Sequence, residues 1–400
     1  MGDEALSFFT RHTLPLPRAD LVQVVNCANA AANLGYSTVL TYLRKAKNGF
    51  NPIEWLAPFH PNNPDESLAK FYNMQEKLKV SALPVFTLDN RSLNRWFNPS
   101  TVVSKYYFPI HLRPVTQLVH TRDWNFIKAA IKYGIPAIYE HHHYEQKQFE
   151  PNIVNHPLFQ IAVTVADTVR EDMIQNGMPS GKVIKLHNGF NRSFLIRYPQ
   201  PAKLWREKLL ANWRSHLVVY SGALHSFKGV DLMMDVAKEL PFVQFVFAGG
   251  DANQVNAYEQ LAADKQLGNV KFLGYVLHEQ LASLLQAADI LVHPHCSGIA
   301  STFTSPLKFF DYMASGTPIV ATEIAPLMEF KPFNVVSGWC EPDNPVKLAE
   351  CIQRVLETHP RKLEGYINTI DFVQQFSWEN RIEKILSYVD EPLRQLVKIS

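Results

Sequence analysis

The sequence predicts an α/β protein made of two Rossmann-like, doubly wound domains facing across a cleft. Three observations predict it. A chain of 400 residues favours two cores over one. Short apolar runs alternate with helical patterns, the mark of parallel sheets covered by helices. One stretch, Asp289 to Thr322 (DILVHPHCSGIASTFTSPLKFFDYMASGTPIVAT), spells out a complete strand–loop–helix–strand unit.

Within that stretch, Ile290-Leu291-Val292 reads as a buried strand and Ser297 to Ser305 as a polar loop. Thr304 and Ser305 before Pro306 suit an N-cap followed by a first-turn proline. The helix runs through Leu307, Phe310 and Met313, with Gly316 as its C-cap and Pro318 barring its resumption. Ile319-Val320-Ala321 is the next strand. The amides near Phe303, Thr304 and Ser305 lie free at the helix start, where the dipole favours an anion. Asp311 shares a face with Leu307, one turn inside, where a carboxylate can accept hydrogen bonds from two ribose hydroxyls. An ordinary capped helix with a solvated Asp311 accounts for the same residues.

The first domain starts with a strand at Leu6 to Thr10, a proline-marked loop (RHTLPLPR), a helix from Val22 to Asn33 and a strand from Ser37 to Tyr42. The first loop of such a fold faces the ligand cleft. Arg11, His12 and Arg18 are therefore candidates for acceptor or phosphate contacts, or else solvated loop charges. Residues 91–108 (RSLNRWFNPSTVVSKYYF) mix arginines and lysine with aromatics, a composition that fits a membrane-surface patch or partial burial against the domain. Two strand ends, QLVHTRD and AIYEHHHY, bring His120, Arg122, Asp123, Glu140, His141, His142 and His143 toward one cleft. In an extended segment His141 and His143 share one face and His142 takes the other. A metal site needs convergent ligands, so no metal is assigned and these groups are read as polar contacts for hydroxyls or an anion. Ile161 to Thr168, a helix from Val169 to Asn176, and Val183 to Leu186 before the turn Asn188-Gly189 close the domain.

The second domain opens with a strand at Leu217 to Tyr220. The loop SGALHSFKG follows, in which Gly222 permits close backbone approach and Lys228 opens the helix Val230 to Glu239. A lysine at the mouth of a strand–helix loop suits a diphosphate. Phe245 to Ala248 ends in Gly249 and Gly250, which let a base or sugar approach the backbone. Val270 to Val276 is another strand, Leu281 to Ala287 a small helix, and Trp378 to Asp390 a final amphipathic helix. The boundaries read as 1–195 for the first domain, 196–375 for the second and 376–400 for a helix returning to the first.

Composition excludes several classes. With 46% apolar and 19% charged residues there is ample core, and a net charge of +2 gives no argument for nucleic acid. Cys27, Cys296, Cys340 and Cys351 show no paired metal spacing, and a reducing, cytosolic setting is the simplest reading. No apolar run approaches the ~18 residues of a spanning helix, and MGDEALSFFTRH does not read as a secretory signal.

SPLKFFDYMASGTPIVAT resembles the donor-site helix of retaining glycosyltransferases of family 4, which have the GT-B architecture. VTVADTVREDMIQNGMPSGKVIKLHNGFN is similar to the segment leading to that family's interdomain linker. The resemblance implies that Asp311 holds the ribose of a nucleotide-sugar, where the family usually has Glu, and that Lys228 neutralises the leaving diphosphate. It implies a His beside the reacting carbon, matched by His120, with Glu140 and His141 at the next strand end. Tyr275 and Val276 border the base. The implied donor site comprises Gly222, Lys228, Gly249, Gly250, Tyr275, Val276, Phe303, Thr304, Ser305, Pro306, Leu307 and Asp311. Arg18 and Arg122 fall to the acceptor. The chain departs from the family at Phe303, which replaces a second Glu, at Ala223, where an Arg is usual, at Arg122, where some members have His, and in the absence of glycine between Gly2 and Gly35.

The expected activity is transfer of a sugar from a nucleotide-sugar to an acceptor hydroxyl, with retention, in polysaccharide or glycolipid assembly. The scheme calls for no cofactor and no metal. Its partners are a nucleotide-sugar donor and a sugar or lipid-linked acceptor, at the cytoplasmic or inner membrane face. The rivals are an epimerase or phosphorylase of the same architecture and a non-catalytic sugar-nucleotide-binding protein.

Overall fold

The computed structural model describes residues 5–45, 56–75, 77–85, 98–145, 147–210, 213–302 and 305–396. The chain divides into two compact units. One runs to His187 and resumes at Trp378, and the other spans Asn188–Ser377.

The first unit is built on strands β1 (Ala5–Phe9), β2 (Thr38–Lys45), β3 (Lys79–Val85), β4 (Thr116–Thr121), β5 (Ala137–Glu140), β6 (Phe159–Thr164) and β7 (Val183–Lys185). They form a parallel sheet in the order β3-β2-β1-β4-β5-β6-β7. Helices α1 (Ala19–Asn33), α2 (Trp124–Lys132) and α3 (Asp167–Gln175) are crossovers of this sheet. α1 is buried over most of its length, from Leu21 to Ala32. Its small residues Ala28, Ala30, Ala31 and Ala32 let the sheet and a neighbouring helix approach closely.

The second unit begins with helix α4 (Pro199–Leu209). Its sheet comprises β8 (His216–Ser221), β9 (Val243–Ala248), β10 (Val270–Gly274), β11 (Ile290–His293), β12 (Ile319–Thr322) and β13 (Gly338–Cys340). The order is β10-β9-β8-β11-β12-β13, again parallel. Helices α5 (Val230–Glu239), α6 (Ala252–Asp264), α7 (His278–Ala287), α8 (Leu307–Ser315) and α9 (Pro345–Thr358) connect or cover it. Period-two alternation sends Leu217 and Val219 of β8 to one core, with Leu291, Phe309 and Met313. Val218 and Tyr220 go to the other, with Phe245, Met234 and Ile352. Both faces are covered, which is why these strands read as unbroken apolar runs.

Helix α10 (Trp378–Leu386) belongs to the first unit and packs against α1. In each sheet the first three strands run outward in one direction and the fourth returns to the other side of the first, so the strand order reverses between β1 and β4, and between β8 and β11. Ligands of open parallel sheets bind outside the strand carboxyl ends at such a switch point. Among the described residues no helix is long and apolar enough to cross a membrane. The four cysteines are free thiols.

Candidate functional site

In the second unit the switch point lies between the ends of β8 and β11. Gly222 follows β8 and donates its N–H to Ala248 O at 2.8 Å. Gly249 is required here for a reason the sequence reading did not supply. A Cβ at Gly249 would stand 2.2 Å from Gly222 O, so the missing side chain makes room for a neighbouring backbone before any ligand. Gly250, at φ +83°, lies against the Leu224 side chain.

Lys228 closes a 3-10 turn, Ser226–Lys228, and the residue that opens α5 is Gly229, not the lysine. Gly229 takes φ +77°, and a Cβ there would fall 1.8 Å from Pro294 O. The lysine-bearing loop is thereby fixed against the end of β11. The Lys228 side chain has no ion-pair or hydrogen-bond partner among the described residues, and burial lowers its pKa from the ordinary lysine value.

Helix α8 starts differently from expectation. Pro306 is its N-cap, in extended conformation and without a side-chain cap, and Leu307 is the first helical residue. Ser305 cannot cap because its Oγ accepts the Asn188 N–H at 3.1 Å, while Asn188 Nδ2 donates to Ser305 O at 2.7 Å. Phe303 and Thr304 lie outside the described residues. Tyr312 ties α8 to β8, its hydroxyl accepting the Ser221 N–H at 2.7 Å. Asp311 is half-buried and has no hydrogen-bond partner among the described residues. Burial pushes its carboxyl up to about 8. Tyr275 follows β10 and is 43% exposed, its hydroxyl pushed up to about 12 by partial burial. Val276 packs against the core.

Three groups at this switch point were not singled out from the sequence. Lys308, in the first turn of α8, sets its Nζ 3.7 Å from the Tyr220 ring centre. His293 and His295 stack with ring centres 4.0 Å apart, both buried. Burial, with Lys308 and Lys228 nearby, holds both imidazoles well below their usual range. The signal was present in VHPH: two histidines two apart at a strand end share a face.

In the first unit the strand ends of β4 and β5 meet around one carboxylate. Glu140 Oε1 accepts from His142 Nε2 at 2.7 Å and Arg381 Nη2 at 2.5 Å. Its Oε2 accepts from His120 Nε2 at 2.8 Å and Arg381 Nη1 at 3.3 Å. Burial alone would raise this carboxyl, yet the Arg381 guanidinium and the two imidazole hydrogen bonds hold it well below the usual range. Both oxygens are occupied, so Glu140 orients His120 and His142, where the sequence reading gave it a share of the reacting centre. Arg381, 241 residues away on α10, also donates through Nε to His187 O. It was missed because one arginine in an amphipathic helix reads as a solvated charge.

His142 is neutral, pushed down to about 3 by burial and Arg122. Its Nε2 donates to Glu140 and its Nδ1 accepts from Arg122 Nη1 at 3.2 Å, which fixes the tautomer. Arg122 is thus turned toward His142 and Gln23. His141 bonds Tyr139 Oη through Nδ1 at 2.9 Å, leaves Nε2 without a partner, and is pushed down to about 4 by burial. The His141 and His143 rings lie 6.5 Å apart while His142 turns away, as alternation predicts. Arg18 pairs with Asp20 at 2.8 Å, half-exposed. Asp123 caps α2, accepting the Phe126 N–H at 3.0 Å. Among the described residues no three His, Cys, Asp or Glu side chains converge as for a metal.

Among the described residues the second unit thus combines two amines and a carboxyl that have no hydrogen-bond or ion-pair partners, a set suited to an anion that also carries hydroxyls. The first presents neutral imidazoles fixed by a buried ion pair. Residues 215–358 match the family described as glycosyl transferases group 1. An uncharacterized glycosyltransferase of Methanocaldococcus jannaschii is 28% identical over 230 residues, 54% of this chain and 56% of that one. A D-inositol 3-phosphate glycosyltransferase of Corynebacterium diphtheriae is 24% identical over 185 residues, 43% of this chain and 41% of that one. The chain spans about half the length of these curated relatives. The crystal structure of Anabaena HepE in complex with UDP and glucose superposes with TM-score 0.67 at 16% identity, covering 96% of this chain and 99% of that one. A glycosyltransferase from Rickettsia africae gives 0.67 at 16%, covering all of both chains. These structural likenesses show a shared fold of two Rossmann-like domains. The group 1 match covers the second-unit loops that carry Lys228, His293, Lys308 and Asp311.

Proposed function

We propose that the protein is a glycosyltransferase that moves a sugar from a nucleotide-sugar to an acceptor hydroxyl with retention at the anomeric carbon. The observation that carries this reading is the coincidence of the group 1 match with the switch point of the second sheet, where Lys228 and Asp311 have no hydrogen-bond or ion-pair partner among the described residues. In this scheme Lys228 neutralises charge growing on the diphosphate as it leaves, the electrostatic work that usually dominates such steps. Asp311 accepts the ribose hydroxyls. The Ser305, Pro306 and Leu307 turn borders the phosphates, Gly222, Gly249 and Gly250 floor the site, and Tyr275 and Val276 lie toward the base. His120, held by Glu140, and His141 serve the acceptor or the oxocarbenium-like centre, with Arg18 and Arg122 on the acceptor side. Protein cations carry the charge that a metal carries elsewhere, and no resident cofactor takes part. The setting we favour is polysaccharide or glycolipid assembly on the cytoplasmic side, and one relative, 25% identical over 190 residues, is named an alpha-galactosylglucosyldiacylglycerol synthase.

The test is a thermal-shift screen against UDP, GDP, ADP and CMP and their sugar conjugates, followed by proton NMR of the product with the donor that shifts the midpoint. A ligand that binds only the native state raises that midpoint. HepE was crystallised with UDP and glucose, so UDP-glucose is the first donor to try. An axial product linkage from an axial donor supports retention. An inverted linkage, or donor conversion without acceptor, sinks it. Lys228→Ala should lower turnover by roughly 10²- to 10³-fold, the loss seen when one strong charge-stabilising donor is removed. An unchanged rate removes Lys228 from the scheme.

A further inference from the structure

Lys308 lies in the first turn of α8, three residues before Asp311, and is only 9% exposed. Its Nζ finds no hydrogen-bond partner and no carboxylate among the described residues. It stands against the Tyr220 ring and 3.7 Å from where a Cβ on Gly222 would be. All four nitrogens of the neighbouring His293 and His295 are likewise buried and without hydrogen-bond partners among the described residues. Lys228 completes the group. A folded chain that leaves a buried amine and two buried imidazoles unsatisfied loses several kcal/mol relative to a satisfied core. Such a concentration of unused donors, with no carboxylate paired to the ammonium among the described residues, is the complement of a buried anion.

We propose that Lys308 is a second diphosphate-binding cation of the donor site, standing in for the basic side chain absent at Ala223, with the N–H groups of His293 and His295 facing the same phosphate oxygens. This rests on the nucleotide-sugar reading above. Gly222 lies beside this group: a Cβ there would stand 3.4 Å from the Tyr220 hydroxyl and 3.7 Å from the Lys308 stem. In the free protein, burial and the charge of Lys228 hold the Lys308 amine well below the ordinary lysine range. The groups around it are Lys228 from the β8–α5 loop, His293 and His295 from the end of β11, Tyr220 from β8, and Asp311 and Tyr312 on its own helix. An arriving anion opposes that shift.

The experiment is titration calorimetry of the full chain with inorganic pyrophosphate and with UDP, at pH 7.5. Wild type should bind both. Lys308→Met should bind each at least tenfold more weakly, whereas removing a lysine that merely packs would leave both affinities unchanged. Lys308→Arg, which keeps the charge, should recover part of the affinity. If Lys308→Met does not fold, Lys308→Gln carries the same test. Pyrophosphate binding within twofold of wild type, or no pyrophosphate binding by wild type at millimolar concentration, overturns the proposal. The two readings separate cleanly. Sugar transfer that survives Lys308→Met unchanged sinks this one alone. Pyrophosphate binding that depends on Lys308 in a chain that transfers no sugar supports this one and sinks the other.

Discussion

Asp311 holds a proton near neutrality that an exposed aspartate would have lost, because burial pushes its carboxyl from 3.8 up to about 8. The sign of the linkage follows. Between about pH 4 and pH 8 the folded chain binds more protons at this position than the unfolded chain, so its contribution to stability falls as pH rises through that window and is level above it. Asp311→Asn removes the effect. In urea titrations at several pH values, the variant should gain on wild type steadily from pH 4 to pH 8. Parallel profiles would mean that the carboxyl is well solvated. The same residue carries a binding prediction. Hydrogen bonds between the neutral carboxyl and two ribose hydroxyls contribute about 0.5–1.5 kcal/mol each, so Asp311→Ala should weaken UDP binding by roughly tenfold. Equal affinity by calorimetry would remove Asp311 from the ribose. The residue was legible in the sequence because its helix is amphipathic, with seven of its other eight residues buried. Lys308 was not, since a lysine within an apolar helix face gives no local sign of what its ammonium meets.

The ends of elements carry the polar chemistry, and two of them can be tested as elements. The Gly229 turn joins β8 to α5 against Pro294 at the end of β11. Gly229→Ala combines a left-handed conformation with a Cβ 1.8 Å from Pro294 O, so the second unit should lose about 2–5 kcal/mol. An unchanged denaturation midpoint would show that the loop can move aside. The second test concerns α10. Arg381→Met leaves the Glu140 carboxylate buried without its guanidinium, and breaking such a pair costs about 3–5 kcal/mol. Acid acts on the same network. Glu140 is held below the ordinary carboxyl range, so its contribution is present above about pH 4.5 and lost below it. His142 is pushed down to about 3, so the unfolded chain takes up its proton first and stability falls from about pH 6.5 downward. Strands such as β8 and β11 were legible because burial on both faces leaves an uninterrupted apolar run. The Glu140–Arg381 pair was illegible because pairing across 241 residues leaves no trace in local pattern.

At the scale of the molecule, the sequence suffices for two parallel sheets, since alternating strands and helices admit few other architectures. The position of the switch points is a different matter. Strand order decides which loops become neighbours, and order depends on long-range pairing that no window of sequence contains. The loops after β8 and β11 were each visible, yet that His293 and His295 face the Lys228 turn follows only from β8 lying beside β11. The same reasoning governs the last helix. α10 follows the second unit in sequence and belongs to the first in space. Ending the chain at Ser377 would remove the buried side chains of Trp378, Ile382, Ile385, Leu386 and Val389, together with Arg381. At about 1.5–3 kcal/mol for each large apolar side chain, the loss is of order 10 kcal/mol, comparable to the whole stability of a domain. The first unit of the truncated chain should therefore be unfolded. The second keeps its sheet, both cores and every group proposed to hold the diphosphate. Limited trypsin digestion should then spare a fragment beginning near Asn188 while the residues before it are degraded, and UDP should still raise the melting midpoint of what survives. Protection of the amino-terminal residues would show that α10 is dispensable to their fold, and loss of the UDP shift would show that the second unit does not bind nucleotide by itself.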